Sequence, residues 1–233
     1  MFDYSVSIII PTYNRKKFEK LIEYNINIQD YPCIEGVYIA DDSDTDEALH
    51  LNIPYNIHYY KTKRCTIGEK RHFLNNISKG KYIINFDTDD FYKKDYISNS
   101  IMTLIEEDKG CCGSADMIIY NNKYFYKQRC IFLHMLNEGT MCMTREFYDK
   151  STKYIPTNSN ESMRFLKENI NDICETKESL MCCLGHDKNT IDKSVWYKPE
   201  TLMRMDEKCR NEYKSHIELL STLNIYEPTT ISS

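Results

Sequence analysis

The stretch Tyr82-Ile83-Ile84-Asn85-Phe86-Asp87-Thr88-Asp89-Asp90 passes from apolar to acidic within a few residues. Tyr82 to Phe86 is β-branched and aromatic, follows Gly80, and has the length of a buried strand. Asp and Asn are poor strand formers, so the strand is expected to stop at Asp87. In open α/β sheets, ligands gather beyond the carboxyl ends of strands. Carboxylates crowded there repel one another unless a cation lies between them. Oxygen ligands of this kind suit Mg²⁺ or Mn²⁺, ions that also take up substrate phosphates. An acidic, solvated loop has the same composition, and a D-x-D alone does not separate the two readings.

Upstream, Tyr4 to Ile10 reads as a Val- and Ile-rich strand that Pro11 is expected to end, with Thr12-Tyr13-Asn14-Arg15 as the loop beyond it. Phe18, Leu21, Ile22 and Ile26 stand at helical spacing between Lys16 and Gln29, and Tyr31-Pro32 breaks that helix. Val37 to Ala40 is a second strand, ending in Asp41-Asp42-Ser43-Asp44-Thr45-Asp46. This β-α-β opening, polar at both strand ends, argues for a parallel sheet. The acidic run is not an EF-hand: counted from Asp42, the required Gly and Glu positions hold Glu47 and Ile53. A solvated turn remains the reading of Asp44 and Asp46. Ile57 to Tyr60 is a third strand. Gly68 to Ile77 is a helix with Phe73, Leu74 and Ile77 inward. Arg64, Lys70 and Arg71 place cations near its N-terminus, which fits a diphosphate site or a plain basic helix face.

Downstream, Asp95 to Glu107 is helical, with Ile97, Ile101, Leu104 and Ile105 inward. Met117–Tyr120 and Lys123–Tyr126 flank Asn121-Asn122 as a hairpin. Gly139 to Thr144 is a strand, Arg145 to Asp149 starts a short helix, and Ser159 to Asn171 is a helix led by Asn160 and Glu161. Leu180 to Gly185 is a strand ending at His186-Asp187-Lys188-Asn189. Thr201 to Leu223 is an amphipathic helix with Leu202, Met205, Cys209, Tyr213, Ile217 and Leu220 on one stripe. That stripe packs on its own domain or joins two copies of the chain as a homodimer.

With 233 residues, the chain fits one large domain that buries its core without staples. A hydrophobic share of 41% excludes a disordered chain, and a net charge of −5 without a basic run disfavours nucleic acid. The ten cysteines include the adjacent pairs Cys111-Cys112 and Cys182-Cys183 but no C-x-x-C, so neither a zinc ribbon nor a disulfide framework is legible. Met1-Phe2-Asp3-Tyr4 has no basic region followed by an apolar core, so no signal peptide is expected, and no apolar run in the sequence has membrane-span length. A cytoplasmic, reducing compartment with free thiols is the expectation.

Val6-Ser7-Ile8-Ile9-Ile10-Pro11-Thr12-Tyr13-Asn14-Arg15 resembles the opening strand of family-2 glycosyltransferases with the GT-A fold. Ala40 to Asp46 is similar to that family's second-strand signature, without its usual Gly. Gly68, Lys70 and Arg71, then Gly80-Lys81-Tyr82-Ile83, resemble its approach to the D-x-D, and Asp87-Thr88-Asp89-Asp90 resembles the D-x-D itself. The matches keep the family's order and spacing over residues 4 to 100. Beyond residue 130 they thin to Gly139-Thr140-Met141 with Arg145-Glu146, then Glu161, then His186 with Asn189.

The resemblance implies a Rossmann-like GT-A fold: a mixed, mainly parallel central sheet flanked by helices. It implies one domain over 1–233, with a nucleotide-sugar half (1–100), an acceptor half (101–200) and the terminal amphipathic helix (201–223). It implies metal-dependent, inverting transfer of a sugar from a nucleotide-diphosphate donor, by preference a UDP-sugar. The acceptor is a hydroxyl of a glycan, glycolipid or protein. By the same resemblance Pro11, Thr12, Tyr13, Asn14, Arg15 and Asp41 hold the base. Gly68, Lys70 and Arg71 face the diphosphate, and Asp87 with Thr88 faces the ribose. Asp89 and His186 hold Mn²⁺ or Mg²⁺. Glu161 is the candidate base, with Asp149 and Glu146 in reserve. For His186 the alternative is a satisfied or exposed side chain. An inverting transfer needs one carboxylate for the acceptor's proton and a cation on the departing diphosphate. Two rival functions stay open. A nucleotidyltransferase would need a Gly-rich basic loop after the first strand, which Pro11 to Arg15 is not. The other is a degenerate GT-A domain acting as a binding module.

Overall fold

The computed structural model describes residues 4–130, 132–187, 189–190, 192–197, 202–203 and 211–223. The period-two alternation of the first strand, β1 (Val6–Thr12), sets the layers. Ile8 and Ile10 enter one core layer with Ile22 and Ile26 of α1 (Glu19–Asn27), whereas Ile9 enters the opposite layer with Leu74 of α2 (Ile67–Ile77). A strand buried on both faces reads as a near-continuous apolar run, which Val6 to Ile10 is apart from Ser7, whose buried hydroxyl donates to Glu35 and accepts the Gly80 amide.

The larger sheet adds β2 (Ile34–Asp41), β3 (Ile57–Lys61) and β4 (Tyr82–Asn85) to β1, and further along the chain β6 (Cys111–Gly113), β9 (Cys142–Thr144) and β10 (Ile173–Glu175). Its order is β10-β6-β9-β4-β1-β2-β3. β4, β1, β2 and β3 are parallel, as are β10 and β6, while β9 runs antiparallel to both its neighbours. The sheet is therefore mixed and mainly parallel. A smaller sheet, mostly antiparallel, contains β5 (Asp90–Tyr92), β7 (Asp116–Tyr120), β8 (Phe125–Arg129), β11 (Met181–Leu184) and β12 (Leu202–Met203). Among the described residues further α-helices are α3 (Tyr96–Glu107), α4 (Arg145–Lys150), α5 (Met163–Glu168) and α6 (Lys214–Thr222).

The structure departs from the sequence pattern at several elements. β1 runs through Pro11 instead of stopping before it. The Ile9 carbonyl accepts the Phe86 amide at 3.0 Å, so by the strand's alternation Pro11 faces the same flank, where β4 has already ended. No ladder partner there needs an N–H from Pro11. On α3, Ile105 is exposed; Ser100 and Thr103 are buried instead, with hydroxyls donating to the carbonyls of Tyr96 and Asn99. On α2, Phe73 and Ile77 are only half-buried, and the fully buried positions include Lys70, Arg71 and Asn75. The helix expected over 159–171 is confined to α5, because Asn160 takes a left-handed conformation (φ 52°) that a right-handed helix does not continue through. Glu161 thus precedes the helix instead of starting it. The strand expected from Gly139 begins at Cys142, after a 3₁₀ turn over Glu138–Thr140.

The terminal helix is also shorter than its stripe. Leu202–Met203 is a strand paired with Phe125 and Tyr126, and Met205 and Cys209 lie outside the described residues. Tyr213, Ile217 and Leu220 pack with Phe18, Leu21 and Phe91, so this part of the stripe is covered within the chain. The His216 ring, at Nε2, lies 3.1 Å from Asn25 Oδ1. The hairpin around Asn121-Asn122 is present as β7–β8. Among the described residues no helix is long and apolar enough to cross a membrane.

Candidate active site

β1 and β4 end side by side, and a cleft of about 860 Å³, counted to its open mouth, lies beyond them. Its walls include Thr12, Tyr13 and Arg15 after β1, Asp87 to Asp90 after β4, Arg71 of α2, and Glu138, Glu161 and Lys193 from the second half of the chain. Tyrosines fix the acidic turn. Tyr92 Oη accepts the Asp87 amide at 2.7 Å and donates to the Gly139 carbonyl at 2.9 Å, and Tyr96 Oη donates to the Asn85 carbonyl at 2.8 Å.

Carboxylates and cations alternate around this cleft. Arg71 is 3% exposed, and its Nη2 meets Asp87 Oδ1 at 2.8 Å while its Nη1 meets Glu161 Oε1. Asp89 Oδ2 receives Arg15 Nε at 3.1 Å and His186 Nε2 at 2.9 Å. Burial would raise the Asp89 carboxyl, but the His186 hydrogen bond and the Arg15 charge outweigh it and hold it at about 2. Asp90 is different. Burial, then the Asp89 and Asp87 charges, push it well above the usual range, and its Oδ1 accepts the Leu184 amide at 3.0 Å, joining β5 to β11. Burial opposes the charge of Lys193, yet the Cys183 thiol and the carboxylates of Asp90, Asp89 and Asp87 raise its proton affinity overall.

The sequence-derived residues divide by place. Pro11, Thr12, Tyr13, Arg15, Lys70, Arg71, Asp87, Thr88, Asp89 and Glu161 come together in the cleft wall. Asn14 lines an adjoining depression with Tyr13, Arg15 and Arg64. Asn14 is left-handed (φ 52°), and its amide donates to Ser43 Oγ at 2.6 Å. Asp44, read from sequence as a solvated turn, accepts from Tyr13 Oη at 2.7 Å and from Asn14 Nδ2 at 3.0 Å. The Arg64 guanidinium lies 3.4 Å from the centre of the Tyr13 ring. Asp41 does not line the cleft: it is buried and accepts from the Ser43 amide at 2.8 Å and from the Ser43 and Tyr59 hydroxyls. Lys70 Nζ is committed to Asp42 Oδ1 at 2.5 Å and the Thr12 carbonyl at 2.9 Å, so it braces the β1 loop. His186 lies outside the wall, its side chain 1% exposed, reaching the cleft through Asp89. The reserve acids are placed elsewhere: Glu146 pairs with Lys150, and Asp149, which is exposed, lies 4.0 Å from Arg145. The sequence reading missed Glu138 and Lys193, which stand in no motif and reach the cleft only through the fold.

Among the described residues no group of three or more His, Cys, Asp or Glu side chains is placed to hold a metal. Asp89 does keep Oδ1 without a hydrogen-bond partner among those residues, beside an imidazole. One or two protein ligands plus substrate phosphates is the usual Mg²⁺ arrangement, and Mn²⁺ accepts similar oxygen donors. The residues present fit that kind of site, in which Asp89, with His186 behind it, would form the protein side.

Gly68 connects α2 to the segment carrying Glu161. A Cβ at Gly68 would lie 2.0 Å from the Ile155 carbonyl oxygen and 3.0 Å from Glu161 Cβ. Gly68→Ala is therefore expected to cost about 1–3 kcal/mol of overpacking. For a chain of this size that lowers Tm by ~2–12 °C, which thermal denaturation measures. An unchanged Tm would mean that the 155–161 segment yields freely.

The strand order, the cleft at the strand ends and the acidic turn define a GT-A sugar-nucleotide fold. The glycosyl transferase family 2 model matches residues 7–174, and the chain belongs to that family. The chain is 26% identical over 101 residues to the poly(ribitol-phosphate) β-N-acetylglucosaminyltransferase TarS of Staphylococcus aureus, covering 40% of this chain and 18% of TarS. It is 24% identical over 146 residues to the glycosyltransferase GlyA of Streptococcus pneumoniae, covering 60% and 20%. The chain thus spans about a fifth of these relatives' lengths. Among solved structures, S. aureus TarS 1–349 with UDP-GlcNAc superposes with a TM-score of 0.59 at 17% identity, covering 79% of this chain and 60% of that one. The mannosyltransferase PcManGT of Pyrobaculum calidifontis, with GDP-Man and Mn²⁺, gives 0.60 at 15% identity, covering 84% and 59%.

Proposed function

We propose that this chain is a metal-dependent, inverting glycosyltransferase that moves a sugar from a nucleotide-diphosphate donor, a UDP-sugar by preference, to a hydroxyl acceptor. The observation that carries this reading is the cleft at the ends of β1 and β4, where Asp87 and Asp89 alternate with Arg15, Arg71 and Lys193. Such a wall suits a ligand that carries both a diphosphate and a bound cation. Tyr13, Asn14 and Arg64, tied to the 41–46 loop, offer a planar, polar surface for the base. Asp87, with an exposed edge, is assigned to the ribose side, and Asp89 with His186 to the metal. When bound, the ion supplies positive charge where the diphosphate departs. Arg15 and Lys193 add fixed cations on the same side, and the acceptor proton passes to a glutamate at the Arg71 end of the cleft. Residues 1–100 serve the donor and later residues the acceptor, which is a glycan, glycolipid or protein hydroxyl.

Two measurements test the reading. UDP and GDP are titrated into the protein with and without Mn²⁺ by calorimetry, and UDP-sugars are followed for release of the nucleoside diphosphate. UDP binding that requires Mn²⁺, with UDP release, is the expected result. Pyrophosphate exchange would identify a nucleotidyltransferase, and neither binding nor release would leave a non-enzymatic module.

A further inference from the structure

The cleft holds a second glutamate that the family motifs do not point to. Glu138 opens the 3₁₀ turn before β9, and its main chain is pinned at both ends of the residue's neighbourhood. Asn137 caps the turn by accepting the Gly139 amide, and Asn85 Nδ2 of β4 donates to the Glu138 carbonyl at 2.6 Å. The side chain is held as well: Ser162 Oγ donates to Glu138 Oε1 at 2.9 Å. Oε2 has no hydrogen-bond partner among the described residues, and Glu138 lines the cleft. Among those residues it also forms no ion pair, whereas Asp87 and Glu161 share Arg71 and Asp89 binds Arg15.

A general base must be positioned, reachable and not already neutralised by a cation. Glu161 is 2% exposed and fixed on Arg71. Glu138 is half-buried, oriented by one hydroxyl, and keeps one oxygen open. On the reading given under Proposed function, we propose that Glu138 is the general base of sugar transfer, and that Glu161 is a positioning residue that holds Arg71. Glu138 Oε2 takes the proton of the acceptor hydroxyl as that oxygen bonds to the anomeric carbon. The bond from that carbon to the diphosphate oxygen breaks, and its electron pair leaves with the nucleoside diphosphate. The proton stays on Glu138 until solvent removes it.

The groups facing Glu138 agree with this role. Burial first, then the Glu161 carboxylate, push its carboxyl up to about 7, against the opposing pull of Arg71 from α2 and the Ser162 hydrogen bonds. Cys130, after β8, is the further titratable neighbour. Glu138 then changes charge where the reaction needs it, and the anion that accepts the proton accumulates as pH rises through about 7. The same shift works against the fold. A carboxyl raised above its unfolded value costs stability once the unfolded chain ionises near pH 4, and this cost grows until Glu138 itself ionises near 7.

The test uses the whole chain with UDP-glucose and UDP-N-acetylglucosamine, Mn²⁺ and water as acceptor, so no natural acceptor is needed. UDP affinity is measured first; absence of nucleotide binding by the wild type overturns the function reading and this assignment with it. Given binding, wild-type UDP release should rise with pH through about 7. Glu138→Gln should keep UDP affinity, lose the pH dependence and fall at least ~10²-fold, while Glu138→Asp recovers part of the rate. Glu138→Gln should also melt higher than the wild type at pH 8 and not at pH 4. Glu161→Gln should retain the rising pH profile. The assignment is overturned by a Glu138→Gln rate within about tenfold of wild type, by loss of the pH profile in Glu161→Gln alone, or by a wild type that binds nucleotide yet releases none at any pH.

Discussion

Asp89→Ala is expected to abolish the Mn²⁺-dependent part of UDP binding, a fall of ~10²-fold or more in affinity, while the fold persists. The carboxylate sits in the turn between β4 and β5, binds Arg15 and His186 through one oxygen, and has no hydrogen-bond partner on the other among the described residues. With so few protein donors available, losing one removes a large share of the ion's hold, because Mn²⁺ would be left with the His186 imidazole and the diphosphate. Metal-free UDP should be affected little, since Arg15 is released to face the phosphates. The acid side supplies a second check. With its pKa held at about 2, below the unfolded value near 3.9, Asp89 contributes stability that is complete above pH 4. That contribution is lost progressively as pH falls from about 4 through about 2. Loss of Mn²⁺ binding between pH 7 and 5 must therefore arise from another group. Calorimetry of UDP with and without Mn²⁺, on wild type and variant, decides the matter: equal affinities for both ligands would remove Asp89 from the metal site.

The part of the cleft wall built from the first hundred residues was legible because its determinants are local. Tyr82 to Asp90 encodes a strand and its acidic end within one short segment, and the β1 loop and α2 follow fixed patterns of strand, turn and helix. What the sequence did not carry was which charges would neutralise which. Arg71 read as a cation at a helix start, facing a ligand. It is instead buried between Asp87 and Glu161, 16 and 90 residues away in the chain. Lys70 looked equally free and is bound to Asp42. Asp41 stands next to that acid in sequence but is turned into the core against Tyr59. Helical periodicity also misread the polar faces: it asks for apolar residues inside, but α2 buries Lys70 and Arg71 against the carboxylates of Asp42, Asp87 and Glu161, and Asn75, whose side-chain amide donates to the Arg71 carbonyl. Glu138 and Lys193 had no local signal at all. Their importance comes from tertiary neighbours, which neither spacing nor composition encodes.

Arg71→Ala carries the largest expected effect on the fold itself. The guanidinium is buried with Asp87 on one nitrogen and Glu161 on the other. Removing it leaves two carboxylates facing each other, one of them almost wholly buried, with no cation between. Breaking a buried pair in this way costs about 3–5 kcal/mol, more than the pair itself contributes, because the desolvation of the orphaned charge is uncompensated. At ~2–4 °C per kcal/mol for a chain of this length, Tm should fall by ~6–20 °C. A second substitution makes the cause visible. Arg71→Met combined with Glu161→Gln removes the cation and the buried anion together, so it should melt above Arg71→Ala although it changes one residue more. Ligand binding then separates the two roles available to Arg71. Both of its terminal nitrogens are engaged within the protein, so Arg71→Ala should weaken UDP and uridine by the same factor, through a loosened cleft. A loss confined to UDP would place the guanidinium on the diphosphate. A loss of stability below ~1 kcal/mol would show that the two carboxylates do not depend on it.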